Sequence, residues 1–298
     1  MDVLSDVLDT VRLTSTVFVR TELTPPWGIR AKPGPYFAFH VLSRGRAWLE
    51  VDGLPPTELA AGDVVVLAPG RGHSLRDSLD SPLCDIEDLL ATGGLDCAAG
   101  GGTQLVCGSF EFAQQHGNAL LPVLPVVLHA RELANEVGPW LAQTIKLLTY
   151  ESFTTRPGTA TVLNRLCDAL FVYLLRSYLA GHPDANWLRA LEDPQIGAAL
   201  QLMHAEPGRP WRVPTLATHV GMSRSAFAAR FSDLVGDTPM NYLTRWRLQK
   251  AAALLRESTI SIDDIATQIG YDSPAAFGKA FRRTIGTPPA TYRRTAKH

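Results

Sequence analysis

The stretch GMSRSAFAARFSDLVGDTPMNYL, beginning at Gly221, returns about fifty residues later as GYDSPAAFGKAFRRTIGTPPATY, beginning at Gly270. A chain that spells one segment twice is constrained to build one local structure twice. The match extends to the apolar period, because Leu216, Ala217, Val220 and Gly221 recur 49 residues on as Ile265, Ala266, Ile269 and Gly270. Beyond the glycine the offset becomes 50, and Ser223, Phe227, Phe231, Gly236, Pro239 and Tyr242 recur as Ser273, Phe277, Phe281, Gly286, Pro289 and Tyr292. The extra residue falls in the turn, where an insertion is least harmful.

Each unit reads as helix, tight turn, helix. In the second, Ser261 can cap the first helix, and Asp264 has capping-box spacing and puts an acid at the positive helix end. Gly270 supplies the backbone freedom that ends this helix, and Ser273 followed by Pro274 gives an N-cap and a first position that tolerates proline. Pro214, Gly221 and Ser223 hold the corresponding places in the first unit. Small Ala217 and Ala266 let the paired helices approach closely, while the phenylalanines return at four-residue steps to face the core. Such a unit is a helix-turn-helix, whose second helix projects into a DNA major groove.

Between the units, PMNYLTRWRLQKAAALLREST carries apolar residues at Tyr242, Leu243, Trp246, Leu248, Ala251, Leu254 and Leu255, an amphipathic pattern. A helix of about 17 residues at about 1.5 Å rise spans about 26 Å, which with the flanking units sets two recognition helices near the roughly 34 Å between successive major grooves. Charge points the same way. From Pro194 to the end, 14 Lys and Arg stand against 7 Asp and Glu, whereas residues 1–193 hold 14 against 22, behind a formal net charge of −1. A basic C-terminal third on an acidic remainder suits a polyanion.

From Pro194 to Arg294 the double unit, the spacer helix and the closing IGTPPATYRR resemble the C-terminal DNA-binding domain of the AraC/XylS family of transcription regulators. The resemblance implies that Ser225, Ala228 and Ala229 face the groove from the first recognition helix, flanked by Ser223, Arg224 and Arg230. It implies the same for Ser273, Ala275, Gly278 and Lys279 on the second, with Arg282 and Arg283 beyond. Those two arginines, and Arg245, Arg247 and Lys250 on the spacer, are expected on phosphates, with a solvated surface charge as the alternative for any one. Small residues on the first helix depart from the long polar ones common in the family. Ala and Ser can touch a thymine methyl but cannot make the bidentate arginine–guanine bond.

Residues 16 to 130 change period. TVFVR, YFAFHVL, RAWLEVDG, DVVVLA, QLVCGSFEF and VLPVVLH are short β-branched and aromatic runs set apart by Gly and Pro, the pattern of an all-β sandwich or barrel. GDVVVLAPGRGHSL, Gly62 to Leu75, resembles the second sequence motif of a cupin barrel, and FHVLSRGRAWLEVDG a degenerate first one. This is similar to the N-terminal sensor barrels of many AraC/XylS regulators. Cupin enzymes hold a metal with two or three His and a Glu. Here only His40 and His73 match, Ala38 stands where an H-x-H pair needs its first His, and Glu50 is one further candidate. The alternative is a polar pocket or core role for both histidines, and no metal or other cofactor is expected. The barrel mouth suits a small molecule, with Phe39, His40, Trp48 and His73 as candidate lining or else as filled core.

None of the four cysteines has C-x-x-C spacing. Cys84 and Cys107 flank a Gly-rich segment holding Cys97, so these three are redox candidates, set against inert buried thiols. From Arg131 to Gly181 two apolar-striped segments read as helices, and Leu163, Leu166, Leu170, Leu174 and Tyr178 suit a helix partner in the same chain or in another. The family resemblance implies that helices here join the domains and form a dimer contact. Ala180 to Gln195 is the expected hinge.

The fold expected is multidomain. An all-β cupin-like effector barrel occupies 1–130, a helical linker and dimerisation region 131–193, and an all-α DNA-binding domain with two helix-turn-helix units 194–298. The chain shows neither a basic-then-apolar leader nor an apolar run of about 18 residues, so neither secretion nor a membrane is expected, and the cytoplasm is. The function expected is a sequence-specific transcription regulator, not an enzyme, working as a homodimer on double-stranded DNA. RNA polymerase is a further partner, and a small effector or an oxidant is the signal. The rival is a metal-dependent cupin enzyme fused to a DNA-binding tail, against which the incomplete ligand set weighs. A methyl-accepting DNA-repair regulator would need a cysteine cluster for zinc, which this spacing does not supply.

Overall fold

A computed structural model describes residues 3–11, 13–91, 102–112, 124–130, 138–154, 156–181 and 186–296. By packing these form two compact units, one built on residues 13–91, 102–112, 124–130 and 138–181, the other on 3–11 and 186–296. Helix α1 (Val3–Val11) opens the chain and belongs to the second unit.

The first unit begins with strands β1 (Leu13–Leu23), β2 (Gly28–Ala31), β3 (Phe37–Arg44), β4 (Arg46–Val51), β5 (Thr57–Ala60), β6 (Val64–Leu67), β7 (His73–Arg76) and β8 (Cys84–Asp85). Helix α2 (Ile86–Ala91) follows, then β9 (Thr103–Phe112) and β10 (Val127–His129). They make two five-stranded sheets, β1-β9-β3-β6-β10 and β5-β4-β7-β2-β8, antiparallel but for the β2–β8 pair. Residues of both sheets share one core, among them Ala38, Leu42, Val65 and Cys107 from the first and Ile29, Leu49, Val51 and Leu75 from the second. On β4 the two-residue period places Ala47, Leu49 and Val51 inside and leaves Trp48 and Glu50 half-buried on the other face.

Strand β3 is apolar on both faces because a helical layer covers its outer side. Helices α3 (Gly138–Ser152) and α4 (Thr159–Gly181) pack on each other and on strands of the first sheet. Phe39 stacks on Phe110 with centroids 4.6 Å apart, and Phe171 of α4 lies 5.1 Å from Phe110 and 5.6 Å from Phe112. These helices therefore stay with the barrel.

The second unit continues with α5 (Asn186–Glu192), α6 (Pro194–Ala205), α7 (Val213–His219), α8 (Arg224–Val235), α9 (Pro239–Glu257), α10 (Ile262–Gln268), α11 (Pro274–Ile285) and α12 (Pro289–Thr295). The expected spacer is α9, at 19 residues slightly longer than its apolar pattern implies. The repeat in sequence is a repeat in packing. Phe227, Phe231 and Tyr242 have successive ring separations of 5.7 and 5.8 Å, and Phe277, Phe281 and Tyr292 have 5.4 and 5.5 Å. Each of these four phenylalanines is wholly buried, which contributes about 2 kcal/mol apiece.

Helix α1 buries Val3, Leu4, Val7 and Thr10, and packs on α6 and α9. Arg256 of α9 donates from Nη2 to the Thr10 carbonyl (3.2 Å), and Asp6 sits 3.5 Å from both His204 Nδ1 and Lys250 Nζ. Packing thus divides the chain differently from three consecutive segments. The first helix joins the C-terminal unit, and much of the expected hinge is the ordered helix α5.

Candidate nucleic-acid interface

Both helix-turn-helix units are built by the same local chemistry. In the first, Leu216 and Ala217 are buried, Gly221 adopts φ 68°, and the Met222 N–H reaches back to the Ala217 carbonyl (2.9 Å). In the second, Ile265 and Ala266 are buried, Gly270 adopts φ 84°, and the Tyr271 N–H reaches the Ala266 carbonyl (2.9 Å). Only glycine takes that left-handed conformation without strain, so the turn is fixed at both places. Ser223 then caps α8 by accepting from the Ala226 N–H (3.2 Å), and Ser273 caps α11 by accepting from the Ala276 N–H (3.1 Å). Ser261 accepts from the Asp264 N–H (3.0 Å) and donates to its carboxylate (2.6 Å), so the expected box closes side chain to side chain.

The surfaces of the two recognition helices differ. On α8 the exposed positions are Arg224, Ser225, Ala226, Ala229, Arg230 and Asp233, with Ala228 half-buried. On α11 they are Pro274, Ala275, Ala276, Lys279, Arg282 and Arg283, with Ser273 and Gly278 half-buried. Among the described residues, Arg224, Lys279, Arg282 and Arg283 make no salt bridge, so their charge is open to phosphates.

Four other expected contacts have intramolecular partners instead. Arg230 donates from Nε (2.8 Å) and Nη2 to Asp193, whose side chain is 6% exposed. Asp193 also accepts from the Gln195 and Ile196 N–H groups as N-cap of α6. Burial pushes its carboxyl up, but the hydrogen bonds from Ile196, Arg230 and Gln195 outweigh that and hold it below the ordinary carboxylate range. On α9, Arg245 pairs with Asp237 (2.9 Å), and Arg247 donates to the carbonyls of Pro207 (2.6 Å) and Arg209 (2.7 Å). Lys250 meets Asp6 and stands over the Trp246 ring at 4.8 Å. The spacer cations hold the unit's own elements together: Arg245 takes the nearby Asp237, while Arg247 and Lys250 reach carbonyls and an acid from distant parts of the chain. Sequence reading missed Asp193 and Asp6. An acid directly before Pro194 is an N-cap signal that would have found the first.

In the barrel unit the expected pocket quartet divides. His40 and His73 do meet, Nε2 to Nε2 at 2.8 Å, both buried, and the His40 Nδ1 lacks a hydrogen bond. Burial, then the neighbouring His73, pushes the pKa of His40 well down, and burial lowers that of His73, so this is a neutral pair. Phe39 lies on the opposite face of β3, and Trp48 on the opposite face of β4 from Val51, whose register partner is His73. Glu50 cannot complete a metal site with the histidines, since it faces away from them and binds Arg76 and Ser74 (3.0 Å). No group of three or more potential metal-ligating side chains occurs among the described residues.

A groove of about 480 Å³ lies instead along β2, β4 and β7, bordered by Arg30, Lys32, Glu50, Asp52, His73 and Arg76 with the apolar Val51, Leu54 and Leu83. Of the redox candidates, Cys107 is buried and its thiol is pushed up to about 12 by that burial, which suppresses the reactive thiolate. Cys84 is exposed, and Cys97 lies outside the described residues. Leu163, Leu170 and Leu174 of the expected dimer stripe are buried within the chain.

A cupin barrel followed by paired helix-turn-helix units defines a DNA-binding transcription regulator. Residues 2–180 match the family model described as Cupin, and residues 216–295 the model described as Helix-turn-helix domain. An AraC-like transcription regulator of Streptomyces lividans is 34% identical over 99% of this chain and 98% of its own length. The HTH-type transcriptional regulator AlkR of Acinetobacter baylyi is 30% identical over 98% of this chain and 99% of its own. The RCS-specific HTH-type transcriptional activator RclR of Escherichia coli is 30% identical over 98% and 97%. The chain belongs to the AraC family of transcription regulators. No described helix is long and apolar enough to cross a membrane.

Proposed function

We propose that this regulator is a homodimer controlled by a small molecule at its barrel unit, without catalysis, and that it acts in the cytoplasm on DNA and RNA polymerase. The groove of about 480 Å³ carries the reading. It is large enough for a small metabolite and combines both signs of charge at its rim with apolar Val51, Leu54 and Leu83, the mixture that orients a polar ligand while burying its body. The buried Cys107, its thiol pushed up by burial, is unsuited to sensing an oxidant itself. Effector control requires different affinity in two states of the protein.

The test is thermal denaturation of the full chain with a panel of polar small molecules, each hit then added to a DNA-binding titration. A hit is expected to raise the melting midpoint and shift DNA affinity, with both effects lost in Leu54→Arg, which fills the groove at an exposed position. Hits that leave DNA affinity untouched would remove the groove as effector site.

A dimer surface is supported by α3, where Trp140, Leu147 and Tyr150 are 67%, 56% and 58% exposed and recur at helical spacing along one face. Val162 of α4 is 44% exposed. Large apolar groups gathered on one face mark an interaction site, and an isologous two-fold contact is the commonest way to cover one. Sedimentation should find wild type dimeric and the Trp140→Glu, Leu147→Glu double variant monomeric. An unchanged mass would refute this face.

A further inference from the structure

We infer that Arg230 is a positioning residue and not a DNA contact: with Asp193 it fastens the first recognition helix to the end of the linker, so that this helix, and not the second, is set by the linker. Asp193 is the hub. One carboxylate oxygen accepts from the Gln195 (3.0 Å) and Ile196 (2.8 Å) N–H groups at the start of α6, and the other accepts from Arg230 Nε (2.8 Å) and Nη2 on α8. Two guanidinium N–H groups converging on one carboxylate oxygen limit the approach of the side chain more than a single bond would. Two further contacts hold the same corner. Gln195 Nε2 donates to the Val220 carbonyl (3.3 Å), which lies in the turn between α7 and α8. At Gly197 a Cβ would stand 2.5 Å from the Leu191 carbonyl oxygen, so the end of α5 crosses α6 at backbone contact.

Helix α5 packs on α8 and α6, and its Ala190 is fully buried. Helix α5 and the Asp193 corner that follows it are therefore bound to the first recognition helix through side chains, backbone and packing. On α11 the residue matching Arg230 is Ala280, which carries no such group. Of the two recognition helices, α8 is the one on which α5 packs and to which Asp193 is paired, so a displacement of residues 186–193 bears directly on it.

The experiment uses the full chain and a duplex that wild type selects from a random-sequence pool, with affinity measured over a range of salt and contacts mapped by footprinting. Asp193→Asn keeps the helix cap, since Asn caps as well as Asp, and removes the ion pair. Arg230→Ala removes the other partner at a half-exposed position, which keeps the test open if the first variant folds poorly. Each variant is expected to weaken binding several-fold and to lose protection in one half-site only. Together they should do no more than either alone, with the salt slope unchanged. Arg230→Lys should fail to rescue, because an ammonium cannot replace the forked pair. A fall in salt slope of about 0.9 in Arg230→Ala would mean a phosphate contact and overturn the inference. Tighter binding by Asp193→Asn, rescue by lysine, additive losses or equal loss in both half-sites would each overturn it as well.

Discussion

His204 shows how one side chain ties pH to stability in the C-terminal unit. It is 3% exposed, with the Tyr242 hydroxyl 2.7 Å from Nε2, Asp6 3.5 Å from Nδ1, and the Trp246 ring stacked at 3.8 Å. A neutral ring that accepts the tyrosine proton and turns Nδ1–H toward Asp6 suits both neighbours. Burial, then the charge of Lys250, lowers its pKa from 6.5 to about 3. Above pH 6.5 the ring is neutral folded and unfolded, so its contribution is complete; between 6.5 and about 3 only the unfolded chain takes the proton, and stability is lost as pH falls. Urea unfolding of the helical signal across that window should show a shallower pH dependence in His204→Gln. Equal slopes would sink the assignment. The turn glycines differ at the same scale. Gly221 has open space where a Cβ would go, so Gly221→Ala carries the left-handed penalty of about 1–2 kcal/mol. At Gly270 an added Cβ would in addition stand 2.6 Å from the Gly208 carbonyl oxygen, so Gly270→Ala should lower the melting midpoint further.

At the scale of elements, the two recognition helices are one design with unequal charge. Three cations without a salt bridge among the described residues stand on α11, and Arg224 alone on α8 once Arg230 is paired. Lys279→Ala should weaken DNA binding, lower the salt slope by about 0.9 and leave the melting midpoint unchanged, since the side chain is exposed. A collapse of stability would show that the helix phase is wrong. The repeat, its turns and its caps were legible because they are encoded locally, by Ser, Gly and Phe at fixed steps. The fates of Arg230, Arg247 and Lys250 were not, because their partners lie 37, 40 and 244 residues away and a cation on a helix has the same spelling whether it meets phosphate, a carbonyl or an acid. In the barrel, PYFAFHVL is apolar on both faces, so no alternation reports which residues look inward. Placing Phe39 required knowing that α4 covers the outer side, and Trp48 was misplaced by one step of phase, which sends a side chain to the other face.

Across the whole molecule, the linear order of segments is not the order of packing. Helix α1 precedes the first strand in the chain yet is built into the C-terminal unit by Val3, Leu4 and Val7, by Asp6 at His204 and Lys250, and by the Arg256 bond to Thr10. Its partners on α9 belong to the helix that joins the two DNA-reading units, so the N-terminal residues contribute to the stability of the DNA-binding half and not to that of the barrel into which they lead. Val7 is fully buried, and Val7→Ala should cost about 1–3 kcal/mol there. Hydrogen exchange resolves where the cost falls. Amides of α9 around Trp246 and Lys250 should exchange faster in the variant, while those of β3 and β9 keep their wild-type protection. Faster exchange in the strands with α9 unchanged would return the first helix to the barrel. Loss of protection in both would mean that the two units unfold together, and that the division drawn from packing is not a division in stability.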